Sequence, residues 1–167
     1  MNSLYYFAYG SNMSERRLLQ RLPGANRIGP VRCPFHQVVF HKKGFKDNSG
    51  KCGLVLHQHD PVEAYGVLFE IDARQIQILD RIEGVGRGYR RVTVDLYLPD
   101  NNKVQGHSYL ATHFDESLKP YQWYMHHVIT GARESQLPPD YLQQLLALES
   151  VADPDRTRHT AEMAIYD

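Results

Sequence analysis

The sequence predicts an α+β domain built on a small, mostly antiparallel β-barrel with short flanking helices. Three observations predict it. Val92, Val94, Leu96 and Leu98 alternate with Arg91, Thr93, Asp95 and Tyr97, the period of a half-buried strand. Further short apolar runs are bounded by turn-forming residues. Helical spacing occurs in short stretches, with Ile76, Leu79 and Ile82 in mid-chain and a leucine-rich stretch near the end.

The elements follow in order. Residues 4–9 read as a buried strand ended by Gly10. Ser14 is placed to cap a short helix carrying Leu18, Leu19 and Leu22, which stops at Pro23-Gly24. A strand is expected around residues 37–41, a polar turn at 44–50, and strands at 52–57 and 65–71. Asp72 caps the next helix, and Gly84 suits its left-handed end. A glycine-bearing loop at 85–88 leads to the strand with Val92. The turn at 99–102 returns the chain along 104–111. A helix is expected over 120–130 with Gly131 as its stop. Pro138-Pro139-Asp140 opens another, with Leu142, Leu145, Leu146 and Leu148 as its apolar face. Residues 151–167 carry no clear period.

A chain of 167 residues fits one domain over 1–167, with the tail from about 151 peripheral. Nineteen Lys and Arg balance nineteen Asp and Glu, so no basic field draws in nucleic acid or an anionic membrane. Neither is expected as a partner. Cys33 and Cys52 match no zinc spacing and make no disulfide framework, which suits a reduced cytoplasmic chain. No segment reads as a signal peptide or a membrane span. His57 and His59 share one strand face without a third ligand, so no metal is expected.

Two motifs carry chemistry. In Tyr5-Tyr6-Phe7-Ala8-Tyr9-Gly10-Ser11-Asn12 an aromatic strand runs into a glycine turn and a helical pattern. Such a turn aims unpaired backbone N–H groups one way, a receptor for a carboxylate or an oxyanion. In Leu79-Asp80-Arg81-Ile82-Glu83-Gly84 a carboxylate ends an apolar helix. Acid there is electrostatically unfavourable, which asks for another reason for Glu83.

With these motifs the chain resembles the γ-glutamylcyclotransferase family, also called AIG2-like. The matching residues are Tyr6 through Asn12, then Leu79-Asp80-x-x-Glu83-Gly84 with Gly88-Tyr89. Tyr124, Gly131-Ala132 and Leu137-Pro138-x-x-Tyr141 follow. Gly-Ala…Leu-Pro…Tyr looks most like the branch acting on γ-glutamyl amino acids. The glutathione-specific branch has Leu where this chain has Asn12. The resemblance implies the γ-glutamylcyclotransferase-like barrel and an enzyme that turns γ-glutamyl-amino acids into 5-oxoproline and a free amino acid. It implies no cofactor and no metal. Its catalytic glutamate matches Glu83. Its substrate-binding loop matches Tyr6, Phe7, Ala8, Tyr9, Gly10, Ser11 and Asn12, Tyr124 matches a tyrosine at the pocket mouth, and Tyr89 ends the neighbouring loop.

That reaction is an intramolecular aminolysis. The substrate's α-amine must lose a proton to attack, and the departing amine must gain one. One carboxylate between the two nitrogens can serve both. Three alternatives stay open: a γ-glutamylamine cyclotransferase, a related γ-glutamyl acyl-transfer enzyme, and a non-catalytic small-molecule-binding module. The partner expected is a small γ-glutamyl molecule, and a homodimer is left open.

Overall fold

A computed structural model describes residues 2–167. Its strands are β1 (Ser3–Ala8), β2 (Asn26–Pro34), β3 (His36–Lys43), β4 (Gly50–Leu56), β5 (Glu63–Asp72), β6 (Tyr89–Tyr97) and β7 (Lys103–Ala111). Its helices are α1 (Glu15–Arg21), α2 (Ile76–Glu83), α3 (Gln122–Glu134), α4 (Pro139–Ala147) and α5 (Arg156–Met163).

Strands β1, β5, β2, β6 and β7 pair in that order, and β7 returns to β1 where Tyr6 lies beside His107. The ring is thereby closed, and its strands expose no free edge. The β1–β7 contact is parallel and the other pairings around the ring are antiparallel. The β3–β4 hairpin attaches outside the ring, with Leu54 of β4 alongside Leu110 of β7. Phe7, Leu54, Leu68, Phe69, Leu96 and Tyr109 are among the large side chains that are fully buried. Burying each such side chain contributes about 1.5–3 kcal/mol. Among the described residues no helix is long and apolar enough to cross a membrane.

Local chemistry accounts for most elements. Asp72 accepts from the Arg74 N–H at 2.8 Å and so starts the turn into α2. Gly84 ends α2 in the left-handed region at φ 74°, ψ 48°. Nine residue pairs align β6 with β7, from Tyr89 opposite Ala111 to Tyr97 opposite Lys103.

Some expectations need correction. Strand β2 lies in a stretch where Arg27, Gly29, Pro30 and Pro34 obscure any alternation. A register shift between Arg27 and Gly29 absorbs the irregularity, so pairing with β5 overrides local preference. Gly131 does not stop α3 but lies inside it, because its bare Cα is pressed against the backbone of Met13. Ser14 stands at the start of α1, yet its hydroxyl bonds Tyr166 at 2.8 Å rather than capping. In α4, Leu145 is buried while Leu146 is exposed, as is Leu148, which lies just past the helix end. The unpatterned tail folds back as α5. Asp155 caps it, and Asp153 fastens it to Trp123 Nε1 at 2.7 Å and to Arg158 at 2.6 Å.

Candidate active site

The two motifs identified in the sequence converge. Strand β1 ends at Ala8, and residues Ser11–Met13 form a tight 3-10 turn. Gly10 makes the approach possible: a Cβ there would sit 2.9 Å from Cys52 Cβ and 3.2 Å from the Tyr124 hydroxyl. Among the described residues, no backbone or side-chain group accepts from the N–H of Gly10, Ser11 or Asn12. Across from this turn, Glu83 is the last residue of α2, and Asn12 Nδ2 donates to Glu83 Oε1 at 2.8 Å.

Two spaces meet at Glu83. The inner one is a chamber of about 30 Å³, room for about one water, walled by Tyr6, Tyr9, Tyr89, Tyr109 and Tyr124. The outer one is a cleft of about 810 Å³. Glu83, Ser11, Tyr89 and Tyr124 line both. The tyrosine wall is tied to the backbone. Tyr9 donates to the Tyr109 carbonyl at 2.6 Å, Tyr89 donates to the Cys52 carbonyl at 2.6 Å, and Tyr124 accepts from the Cys52 N–H at 2.8 Å. Burial pushes the Tyr6, Tyr9, Tyr89 and Tyr124 phenols up, so all four stay protonated at neutral pH.

Asn12 is held in one orientation. Arg21 can only donate, and it donates to Asn12 Oδ1 at 3.0 Å. The Asn12 amide nitrogen therefore faces Glu83, and it also reaches the Tyr6 hydroxyl at 3.1 Å. Burial raises the Glu83 pKa above that of an ordinary glutamate. The charges of Arg21, Lys42 and Arg17 and the bond from Asn12 oppose that rise without cancelling it.

The cleft is basic although the chain is neutral. Eight lysines and arginines line it against four carboxylates. Arg17 is buried at its base and donates to Ser11 Oγ at 3.2 Å and to Glu162 of the tail. His127, fully buried, completes the network: its Nδ1 lies 2.6 Å from the Tyr166 hydroxyl and its Nε2 lies 2.9 Å from Glu162. With Nε2 protonated, His127 donates to Glu162 and accepts from Tyr166, which in turn accepts from Ser14. Arg17 Nη1 lies 3.1 Å from the same Nε2, and Glu162 accepts from both groups.

This network makes stability sensitive to acid. Burial holds His127 down at about 4, against its ordinary 6.5. The bond from His127 and the charge of Arg17 outweigh burial and hold Glu162 down at about 2, against 4.5. Both groups bind protons more readily when unfolded. Their stabilisation is complete above pH 6.5 and is lost as pH falls through about 4 for His127 and about 2 for Glu162. Urea titrations are expected to give falling stability below pH 6.5, and His127→Gln should flatten the upper part of that fall. An equal slope in the variant would contradict this account.

The remaining sequence candidates divide. Tyr6, Tyr9, Gly10, Ser11, Asn12, Tyr89 and Tyr124 all line the chamber with Glu83. Phe7 and Ala8 line neither space. Both are buried in the barrel core, and the Phe7 carbonyl accepts from Ser108 at 3.0 Å. Alternation explains Phe7, which points to the opposite face of β1 from Tyr6. Sequence reasoning missed Arg21, Lys42, Cys52 and Tyr109 in the walls, and Arg158 and Glu162 from the tail. None stands in a local motif. Among the described residues, no three of His, Cys, Asp or Glu converge as metal ligands would.

Known proteins resemble this chain in sequence and fold. Residues 63–145 match the AIG2-like family. The human γ-glutamylcyclotransferase is 30% identical over 155 residues, covering 88% of this chain and 79% of its own. Its mouse counterpart is 31% identical over 152 residues, covering 86% and 78%. A solved γ-glutamyl cyclotransferase superposes with a TM-score of 0.87 at 25% identity over 99% of both chains. Barrel and relatives together define an enzyme of the γ-glutamylcyclotransferase class. The chain belongs to the γ-glutamylcyclotransferase family, and the likeness runs from the N-terminal loop to the tail helices.

Proposed function

We propose that this enzyme converts γ-glutamyl-amino acids into 5-oxoproline and a free amino acid, with Glu83 as its acid and base. The observation that carries the reading is the position of the Glu83 carboxyl, half-buried where the tyrosine chamber meets the cleft and bonded through one oxygen to Asn12. The second carboxyl oxygen has no protein partner among the described residues and is free to exchange protons.

The substrate's α-carboxylate would rest on the unpaired N–H groups after Tyr9, which holds the glutamyl unit curled. Glu83 takes a proton from the α-ammonium. The freed amine attacks the γ-carbonyl, a C–N bond forms, and a tetrahedral oxyanion develops. Glu83 passes that proton to the departing nitrogen as the original amide bond breaks, and the second proton, shed by the ring nitrogen, follows the same route, so the amino acid leaves as its ammonium. Water is not consumed, and donation to the departing amine regenerates the carboxylate. Burial serves both halves of the cycle, because a raised pKa makes Glu83 a better match to an operating pH near neutrality.

The direct test is 5-oxoproline release from γ-glutamyl-alanine by the purified protein. Stabilisation by 5-oxoproline without any turnover would instead mark a binding module. Asn12→Ala separates positioning from fold. Its bond lowers the Glu83 pKa, so its loss should move the acid limb of the kcat/KM profile upward by about one pH unit. An unmoved limb would remove Asn12 from this role.

A further inference from the structure

The cleft contains a buried cation that forms no ion pair among the described residues. Lys42 is 5% exposed and lines the outer cleft, and among the described residues no carboxylate lies within ion-pairing distance of its ammonium. Asp47, the nearest candidate in sequence, is occupied by Lys51 at 2.7 Å and by the Ser49 hydroxyl at 2.8 Å. Lys42 rests instead against aromatic faces, with Nζ 4.1 Å from the Tyr89 ring centre and 5.4 Å from that of Phe45.

The backbone aims it there. The register of β3 against β4 shifts between Val39 and Lys42, and such a bulge redirects a side chain at the sheet's edge. Gly88 leaves room for it, since a Cβ on that residue would lie 3.0 Å from Lys42 Nζ. Burial pushes the Lys42 pKa down to about 8, with the negative charge of Glu83 working against that fall. Lys42 and Glu83 both line the outer cleft.

We propose that Lys42 is the residue that selects the leaving group, by pairing with a carboxylate on the departing amine. This rests on the cyclotransferase reading above and deepens it by naming the substrate class. A γ-glutamyl-amino acid brings that carboxylate one carbon from the departing nitrogen. A γ-glutamylamine brings none and leaves the ammonium buried and unpaired. Sites that hold a charged partner reject analogues lacking it, because a desolvated charge without its partner is costly. The surrounding excess of cations favours anionic leaving groups in the same sense.

The test compares γ-glutamyl-alanine with γ-glutamyl-alaninamide, which matches it in size and lacks the charge. The wild-type enzyme should prefer the acid by about 10–100-fold in kcat/KM, the scale of one charged hydrogen bond. Lys42→Met should erase most of that preference by losing rate on the acid, and Lys42→Arg should retain part of it. Equal wild-type rates on the two compounds would overturn the assignment, as would a Met variant that still discriminates. Because the wild-type comparison needs no variant, a poorly folding Met protein would leave the inference open to refutation. If neither compound yields 5-oxoproline, the cyclotransferase reading itself fails, and the role of Lys42 fails with it.

Discussion

Glu83→Gln is expected to lower 5-oxoproline formation by about 10²–10⁴-fold, the range that proton transfer by a positioned side chain supplies. The substitution is isosteric. Gln can still accept the Asn12 bond through its amide oxygen, so the end of α2 and the chamber should keep their shape. What it loses is the capacity to take a proton from the α-ammonium and give one to the departing amine. Stability should hold or rise, because the buried negative charge and its desolvation cost disappear. A thermal melt alongside the kinetics separates lost chemistry from lost fold. Turnover within a few-fold of wild type, on a folded variant, would remove Glu83 from the mechanism. In the wild type, the acid limb of kcat/KM should lie above the 4.5 of an ordinary glutamate, following the rise that burial imposes.

Gly131→Ala should produce the largest loss of stability from a single methyl group near the site. A Cβ there would stand 2.3 Å from the Met13 carbonyl carbon, 2.4 Å from Met13 Cβ and 2.5 Å from the Ser14 nitrogen. Two of these three atoms are backbone and cannot rotate away. Alanine in mid-helix gains about 1 kcal/mol of propensity over glycine. Overpacking at such distances costs about 3 kcal/mol. The balance is about 2 kcal/mol of destabilisation, or roughly 4–8 °C in Tm for a chain this size. Activity should suffer too, because Met13 follows Asn12 directly and α3 bears on that turn. An unchanged or raised Tm would show that α3 and the turn can part without strain.

The two cases differ in how visible they were. Glu83 announced itself locally, as an acid at the wrong end of an amphipathic helix with a glycine after it. The Tyr-Gly-Ser-Asn turn did so as well, because a strand, a glycine and a helix start are all short-range signals. Gly131 misled for the same reason. Glycine near a helix end reads as a stop, and only the neighbouring turn at Met13 reveals why a side chain is forbidden. The tail misled by silence. Its few apolar residues fit no period, yet Trp123, Arg17 and His127 hold Asp153 and Glu162 in place.

Composition gave no warning of a basic cleft. Charges that cancel over the whole chain separate in space when β3, α1, the turn near Asp47 and the tail meet, and no linear pattern encodes that meeting. The same holds for Lys42, whose direction depends on a register shift between two strands.

The chain's own order of residues determined the elements with strong local periodicity, the turn after β1, and Glu83 at the end of α2, because dihedral preference and capping act over a few neighbours. Only the folded barrel decided which side chains share the chamber, how far Glu83 is desolvated, and which lysine stands unpaired before it. Those properties arise from contacts between segments tens of residues apart, and burial is a property of the assembled whole.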